Sequence, residues 1–164
     1  MKTGVAALLA SFAITAASPL WADCQDAFAL LFRCAIPERD AVIELCRDGG
    51  SGALQYSYWT SEKTELQFVS ATAYGVVREN VQGINGAAYG MAASNGGTFY
   101  AIYVDEALMF SERAPRGSRS STPAVVQVYP SETALNDQAK DGFIARRVCY
   151  PPSIDIDNNA FGPG

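Results

Sequence analysis

Apolar and polar residues alternate with a period of two along most of residues 30–150, in short runs broken by turn residues, and this alternation predicts strands. Residues 30–36 and 41–47 flank the polar turn Pro37-Glu38-Arg39-Asp40, and a Gly/Ser turn over 49–52 leads into a third run, 53–59. After the turn at 60–63, residues 64–70 set Leu66 and Phe68 against Glu65 and Gln67, a return strand with one wet face. Residues 71–86 read as irregular, broken by Gly75, Gly83 and Gly86. Runs 87–94 and 98–105 flank Asn95-Gly96-Gly97, a strong hairpin signal because Asn-Gly accepts positive φ. Residues 125–129 form a strand ended by Pro130. Ser131 caps a short helix over 132–140 with Gly142 as its stop, and 143–150 is the last strand. Residues 151–164 show no pattern and are expected to be a disordered tail. The reading is all-β: an antiparallel β-sandwich or small barrel of about eight strands with one short helix.

With Pro37 set against Asp40 in the first hairpin, Ile36 faces Ala41, Cys34 faces Ile43 and Phe32 faces Leu45. That face is wholly apolar. The other carries Leu31, Arg33, Ala35, Val42, Glu44 and Cys46. Cys34 and Cys46 therefore point to opposite faces and are not expected to bridge each other. Four cysteines allow three pairings. The expected pair of bridges is Cys24–Cys34 with Cys46–Cys149, the latter closing a loop of about 100 residues, worth about 4.7 kcal/mol in the chain-entropy model.

Residues 1–22 read as a signal peptide. Lys2 is the positive start, and the apolar run over 5–17 is shorter than the roughly 20 residues a membrane-spanning helix needs. Cleavage after Ala22 leaves residues 23–150 as a single disulfide-bonded β domain, followed by the tail, with no transmembrane segment in the mature chain. Asp23 before Cys24 disfavours lipid attachment. The four cysteines suit an oxidising compartment, so the expected location is periplasmic or secreted. The mature chain holds 11 basic and 17 acidic side chains, a net charge of −6. That balance argues against a nucleic-acid partner and for long-range attraction to a basic one.

The sequence contains no histidine. Ser-His-Asp and Cys-His catalysis and imidazole metal sites are thereby excluded. Without Cys-x-x-C or a histidine to make a thiolate, the cysteines read as structural. Paired carboxylates are the remaining acid–base chemistry, at Asp105-Glu106 or Glu62 with Glu65, and solvated turn charges are the simpler account of both. Asp155-Ile-Asp157-Asn-Asn159 imitates the start of a calcium loop, but Ala160 stands where glycine is needed and the closing glutamate is missing. No metal and no cofactor is expected. Arg113, Arg116 and Arg119 in the polar loop over 111–122 read as surface, with anion binding as the functional alternative. The aromatics Tyr56, Tyr58, Trp59, Phe68, Phe99, Tyr100 and Tyr103 read as core or sheet face.

Cys34, the run ending Leu45-Cys46, Leu54-Gln55-Tyr56-Ser57-Tyr58, Asn95-Gly96-Gly97-Thr98-Phe99-Tyr100 and the late Cys149 together resemble a group of small secreted bacterial β-proteins without an assigned function. The chain departs from that pattern in the wide spacing of its first two cysteines and in Ser57 and Trp59, where the group has Arg and Gly. A fainter resemblance is to bacterial periplasmic lysozyme inhibitors, which insert a Ser-Gly-x-x-Tyr loop into the lysozyme cleft. Asn85-Gly86-Ala87-Ala88-Tyr89 has that spacing, with Asn for Ser. The resemblance implies that Asn85, Gly86 and Tyr89 form a partner-binding tip. The simpler account is that Gly86 turns the chain and Tyr89 packs. The functional expectation is a non-enzymatic binding protein without catalytic residues, its partner a protein such as a basic lysozyme-like hydrolase. The alternatives are a carboxylate-dependent enzyme acting on glycans and a structural envelope protein without a discrete ligand.

Overall fold

The computed structural model describes residues 24–79, 81–84, 86–106, 123–137 and 142–161. Two five-stranded antiparallel sheets pack together as a sandwich. The first holds β1 (Phe28–Ile36), β2 (Ala41–Asp48), β3 (Leu54–Thr60) and β4 (Thr64–Ser70) side by side. The second holds β5 (Tyr74–Glu79), β6 (Ala87–Asn95), β7 (Thr98–Asp105), β8 (Ala124–Tyr129) and β9 (Ala145–Val148), also in chain order. The chain then returns to the first sheet, where β10 (Asp155–Ile156) pairs with β1. The helices are short: α1 (Glu132–Asn136) and α2 (Asn158–Phe161).

The first hairpin forms in the register that its alternation predicts: Ile36 opposite Ala41, Cys34 opposite Ile43, Phe32 opposite Leu45. Pro37–Arg39 make one 3-10 turn, closed by Asp40 in the left-handed region at φ 47°. Beyond Phe32 a bulge leaves Leu31 unpaired, and both Leu31 and Phe32 are buried. Phe32, Cys34, Ile43, Leu45, Leu54 and Tyr56 meet Met91, Ile102, Val104 and Val126 in the layer between the sheets. A second apolar cluster covers the outer face of the second sheet, where Val81, Ile84 and Leu135 of α1 lie over Ala88, Ala92, Tyr103 and Val125. Gly90 makes room for this layer: a Cβ there would stand 2.6 Å from the Ile102 carbonyl and 2.9 Å from the Tyr103 ring.

Ile43, Tyr58 and Leu66 are cross-strand neighbours, forming a row across the first sheet. That row faces residues spaced along β8 and β9, namely Val126, Val128, Ala145 and Arg147. The corners of a sandwich can be made where the chain passes from one sheet to the other. Here it passes over at residues 71–73, between β4 and β5, and again after β9, where the Tyr150 N–H donates to the Ala35 carbonyl at 2.9 Å. Phe161 fills the space between β1 and β6, its ring centroid 6.0 Å from that of Phe32. Among the described residues, no chain crossing closes the corner where β4 and β9 begin.

Four expectations need correction. The bridges are Cys24–Cys46 and Cys34–Cys149, not Cys24–Cys34 with Cys46–Cys149. The two faces of the hairpin are the cause. Cys34 points between the sheets, where the second sheet presents Cys149, and Cys46 points to the other face, where the segment before β1 lies. The stretch 71–86 contains β5, an edge strand whose lone Gly75 hid it. The predicted helix ends at Asn136; its Ser131 cap does form, the hydroxyl accepting from the Ala134 N–H at 3.1 Å. Residues 151–161 are not a patternless tail. They form a 3-10 turn, β10 and α2, held by the Asp157 N–H on the Leu31 carbonyl at 2.8 Å and by buried Phe161.

Peptide mapping without reduction should recover Cys24 joined to Cys46 and Cys34 joined to Cys149. A Cys46–Cys149 peptide would show that the faces are assigned the wrong way round. Cys34→Ser with Cys149→Ser removes the clamp between the sheets and should lower unfolding stability by about 2–5 kcal/mol in a urea titration.

Candidate functional site

The open corner is a crevice of about 140 Å³ between the sheets. Alternation puts its walls in place. Tyr56 and Tyr58 alternate with outward Gln55 and Ser57 on β3, and Leu66 does so with Gln67 on β4. From the second sheet, Tyr100 of β7 and Val126 and Val128 of β8 complete an apolar lining. Tyr56, Phe68 and Tyr100 form one aromatic group, with centroids 5.4 Å apart for Tyr56–Phe68, 5.0 Å for Tyr56–Tyr100 and 5.1 Å for Phe68–Tyr100. Burial pushes the Tyr56 hydroxyl well above the usual phenol range, with Tyr100 and Tyr58 adding to the shift.

One charged side chain lines this wall. On β9, Arg146 and Val148 face outward, and Ala145 and Arg147 face the crevice. Arg147 is half-buried. Its Nη1 donates to the Arg146 carbonyl at 2.8 Å, and no carboxylate among the described residues pairs with it. At the rim, the Tyr58 hydroxyl hydrogen-bonds exposed Arg39 and raises its pKa, and Glu65 and Glu38 push it the same way.

Of the residues expected to form a partner-binding tip, Gly86 and Tyr89 are among the described residues. Asn85 lies outside the described residues. Gly86 adopts φ 98° in open space. Tyr89 is not on a loop tip: it sits within β6 between Val77 and Val104, half-buried against the inter-sheet core with Met91 and Ala93. The strand begins at Ala87, and alternation from there turns Tyr89 inward. The loop ahead of it is tied down by buried Val81 and Ile84 and by Arg146, which donates to the Gln82 carbonyl at 2.5 Å. Arg113, Arg116 and Arg119 lie outside the described residues. Asp105 is buried at the end of β7 beside exposed Glu106; Glu62 and Glu65 are both exposed. Asp157 accepts from the Asn159 N–H at 3.0 Å and so helps start α2. Among the described residues, no three His, Cys, Asp or Glu side chains gather as metal ligands.

Two buried polar groups escaped the sequence reading. Arg78, on β5, donates to the Tyr129 hydroxyl and to the Asp137 carbonyl under α1, and its guanidinium carbon stands 5.2 Å from the centre of the Tyr129 ring. The Tyr129 hydroxyl donates in turn to Gln127 Oε1 at 2.6 Å. On the outer face of the first sheet, fully buried Glu44 pairs with Arg33 across β1 and β2. The opposed places of Arg33 and Glu44 in the hairpin were the available signal for that pair; nothing local marked Arg78.

Comparison with protein-family models, with curated proteins and with solved structures finds no match.

The raised Tyr56 pKa sets a pH dependence. The folded state holds the phenol protonated, whereas the unfolded chain releases the proton near pH 10. The contribution is therefore intact below about pH 10 and is lost as pH rises beyond it, by about 1.4 kcal/mol per pH unit for one proton. Urea titrations between pH 8 and 11 should show stability falling above pH 10, and less steeply in Tyr56→Phe. An unchanged slope in that variant would mean the hydroxyl is not enclosed.

Proposed function

We propose that this chain is an exported, non-enzymatic binding protein and that the crevice at the open corner takes a small molecule with an apolar body. The observation that carries the reading is the crevice itself: a concave, largely apolar space between rigid sheets, with aromatic walls and one guanidinium. Binding sites for small molecules have that composition, apolar walls with a few polar groups. Its size sets the ligand's size. An apolar cavity of about 150 Å³ accommodates a benzene ring, so a single ring or a short branched chain fits and a long acyl chain does not. Placing the site on strands rather than loops holds the walls fixed before the ligand arrives. Export is supported by the leader-like residues 1–22 and by four cysteines that all pair.

Ligand-observed NMR with toluene tests the reading. Saturation should transfer from the protein to the ring at millimolar toluene. Val128→Phe, which fills the crevice from a half-buried position, should abolish the transfer with the fold intact by circular dichroism. Transfer that survives Val128→Phe places the ligand elsewhere.

Inhibition of a basic hydrolase such as a lysozyme is the second reading. It is supported by the mature charge of −6 and by Gly83 and Gly86, both at positive φ on the turn before β6. Tyr89 would act there through the core rather than by contact. In a cell-wall lysis assay at low and high salt, micromolar protein should slow a basic lysozyme more at low salt. Tyr89→Ala should lower stability and leave inhibition per folded molecule unchanged. No inhibition of chicken-, invertebrate- or goose-type lysozyme would end this reading.

A further inference from the structure

The arginines of the described structure are neutralised unequally. Arg33 has Glu44, Arg78 has Tyr129 and the Asp137 carbonyl, and Arg39 has Tyr58 with Glu38 and Glu65 nearby. Arg47 and Arg146 also have no carboxylate partner among the described residues, but Arg47 is exposed and Arg146 faces away from the crevice and donates to the Gln82 carbonyl. Arg147 faces the crevice: it is half-buried in a mostly apolar wall, and among the described residues its hydrogen bond goes to the carbonyl of its own neighbour and no carboxylate pairs with it. Taking a guanidinium partly out of water is costly unless an anion or several acceptors replace the lost hydration. One backbone carbonyl satisfies one of its five donors.

We infer that the crevice is a site for a small monocarboxylate, with the carboxylate on Arg147 and an apolar ring or branched chain between Tyr56, Tyr100, Leu66 and Val128. This inference rests on the crevice being a ligand site. It adds the chemistry of the head group. A planar guanidinium offers two parallel N–H donors, which match the two oxygens of a carboxylate. The volume of about 140 Å³ leaves room for one ring beyond that contact. Arg39 at the rim is opposed by Glu38 and Glu65, so a second anionic group there meets no net positive charge. A single acid is thereby favoured over a diacid. Because the mature protein carries a net charge of −6, attraction of the anion is local to Arg147 rather than a property of the whole surface.

Titration calorimetry with phenylacetate, its neutral isostere phenylacetamide and the diacid phenylmalonate tests this. Phenylacetate should bind about tenfold or more tightly than phenylacetamide, the usual margin of a charge-assisted over a neutral hydrogen bond. Arg147→Gln should bring the acid down to the level of the amide and should weaken the amide less than the acid. Arg147→Lys, which keeps charge but loses the paired donors, should fall between. Phenylmalonate should bind more weakly than phenylacetate. Acid and amide binding alike, or an Arg147→Gln that weakens both equally, would overturn the carboxylate assignment and leave the crevice as a neutral site. Neither ligand binding at millimolar concentration would overturn both.

Discussion

Among the described residues no hydrogen-bond ladder joins the two sheets, so the molecule depends on the apolar layer between them and on the Cys34–Cys149 bridge buried within it. The bridge spans 115 residues of chain, from the first strand to the end of the ninth. In the unfolded chain those ends would be far apart; cross-linked, they cannot separate, and the entropy lost on folding is correspondingly smaller. The second bridge, Cys24–Cys46, spans 22 residues and fastens the segment before β1 to the outer face of the first sheet. One clamps the sandwich and the other secures an end.

The two outer faces are treated differently. The second sheet is covered by α1 and the turn at 81–84, which gives a second apolar layer and encloses Arg78 against Tyr129. Its strands are thus apolar on both sides, as in the run Ala-Val-Val-Gln-Val-Tyr of β8. The first sheet keeps polar side chains outward, yet Glu44, Gln55 and Ser57 are enclosed there, with Gln55 Oε1 accepting from the Gln25 N–H at 3.2 Å. These buried polar groups hold position. The crevice, by contrast, presents a cation that no carboxylate among the described residues pairs with.

Corners explain where that crevice lies. Two corners are made by the chain passing over, and Phe161 occupies the space between β1 and β6. Among the described residues, the place where β4 and β9 begin has neither device, and Leu66, Tyr58 and Arg147 border an opening there. The crevice lies where the architecture leaves packing incomplete, away from the turn motif ahead of β6.

The sequence by itself determined the strands whose alternation is strong, the register of the first hairpin, the Ser131 cap and the opposed facing of Cys34 and Cys46. All of these follow from contacts between near neighbours and from the period of two. It also determined, through the absence of histidine, which chemistries are closed to the chain. The tertiary structure alone decided which cysteines meet, because that depends on which sheet edge Cys149 reaches. It alone turned Tyr89 inward, ordered residues 151–161 against β1, and brought Arg147 opposite Tyr56 and Leu66. Those outcomes depend on how the two sheets pack face to face, and that packing is set by twist and contacts summed over every strand, a quantity that no local run of residues encodes.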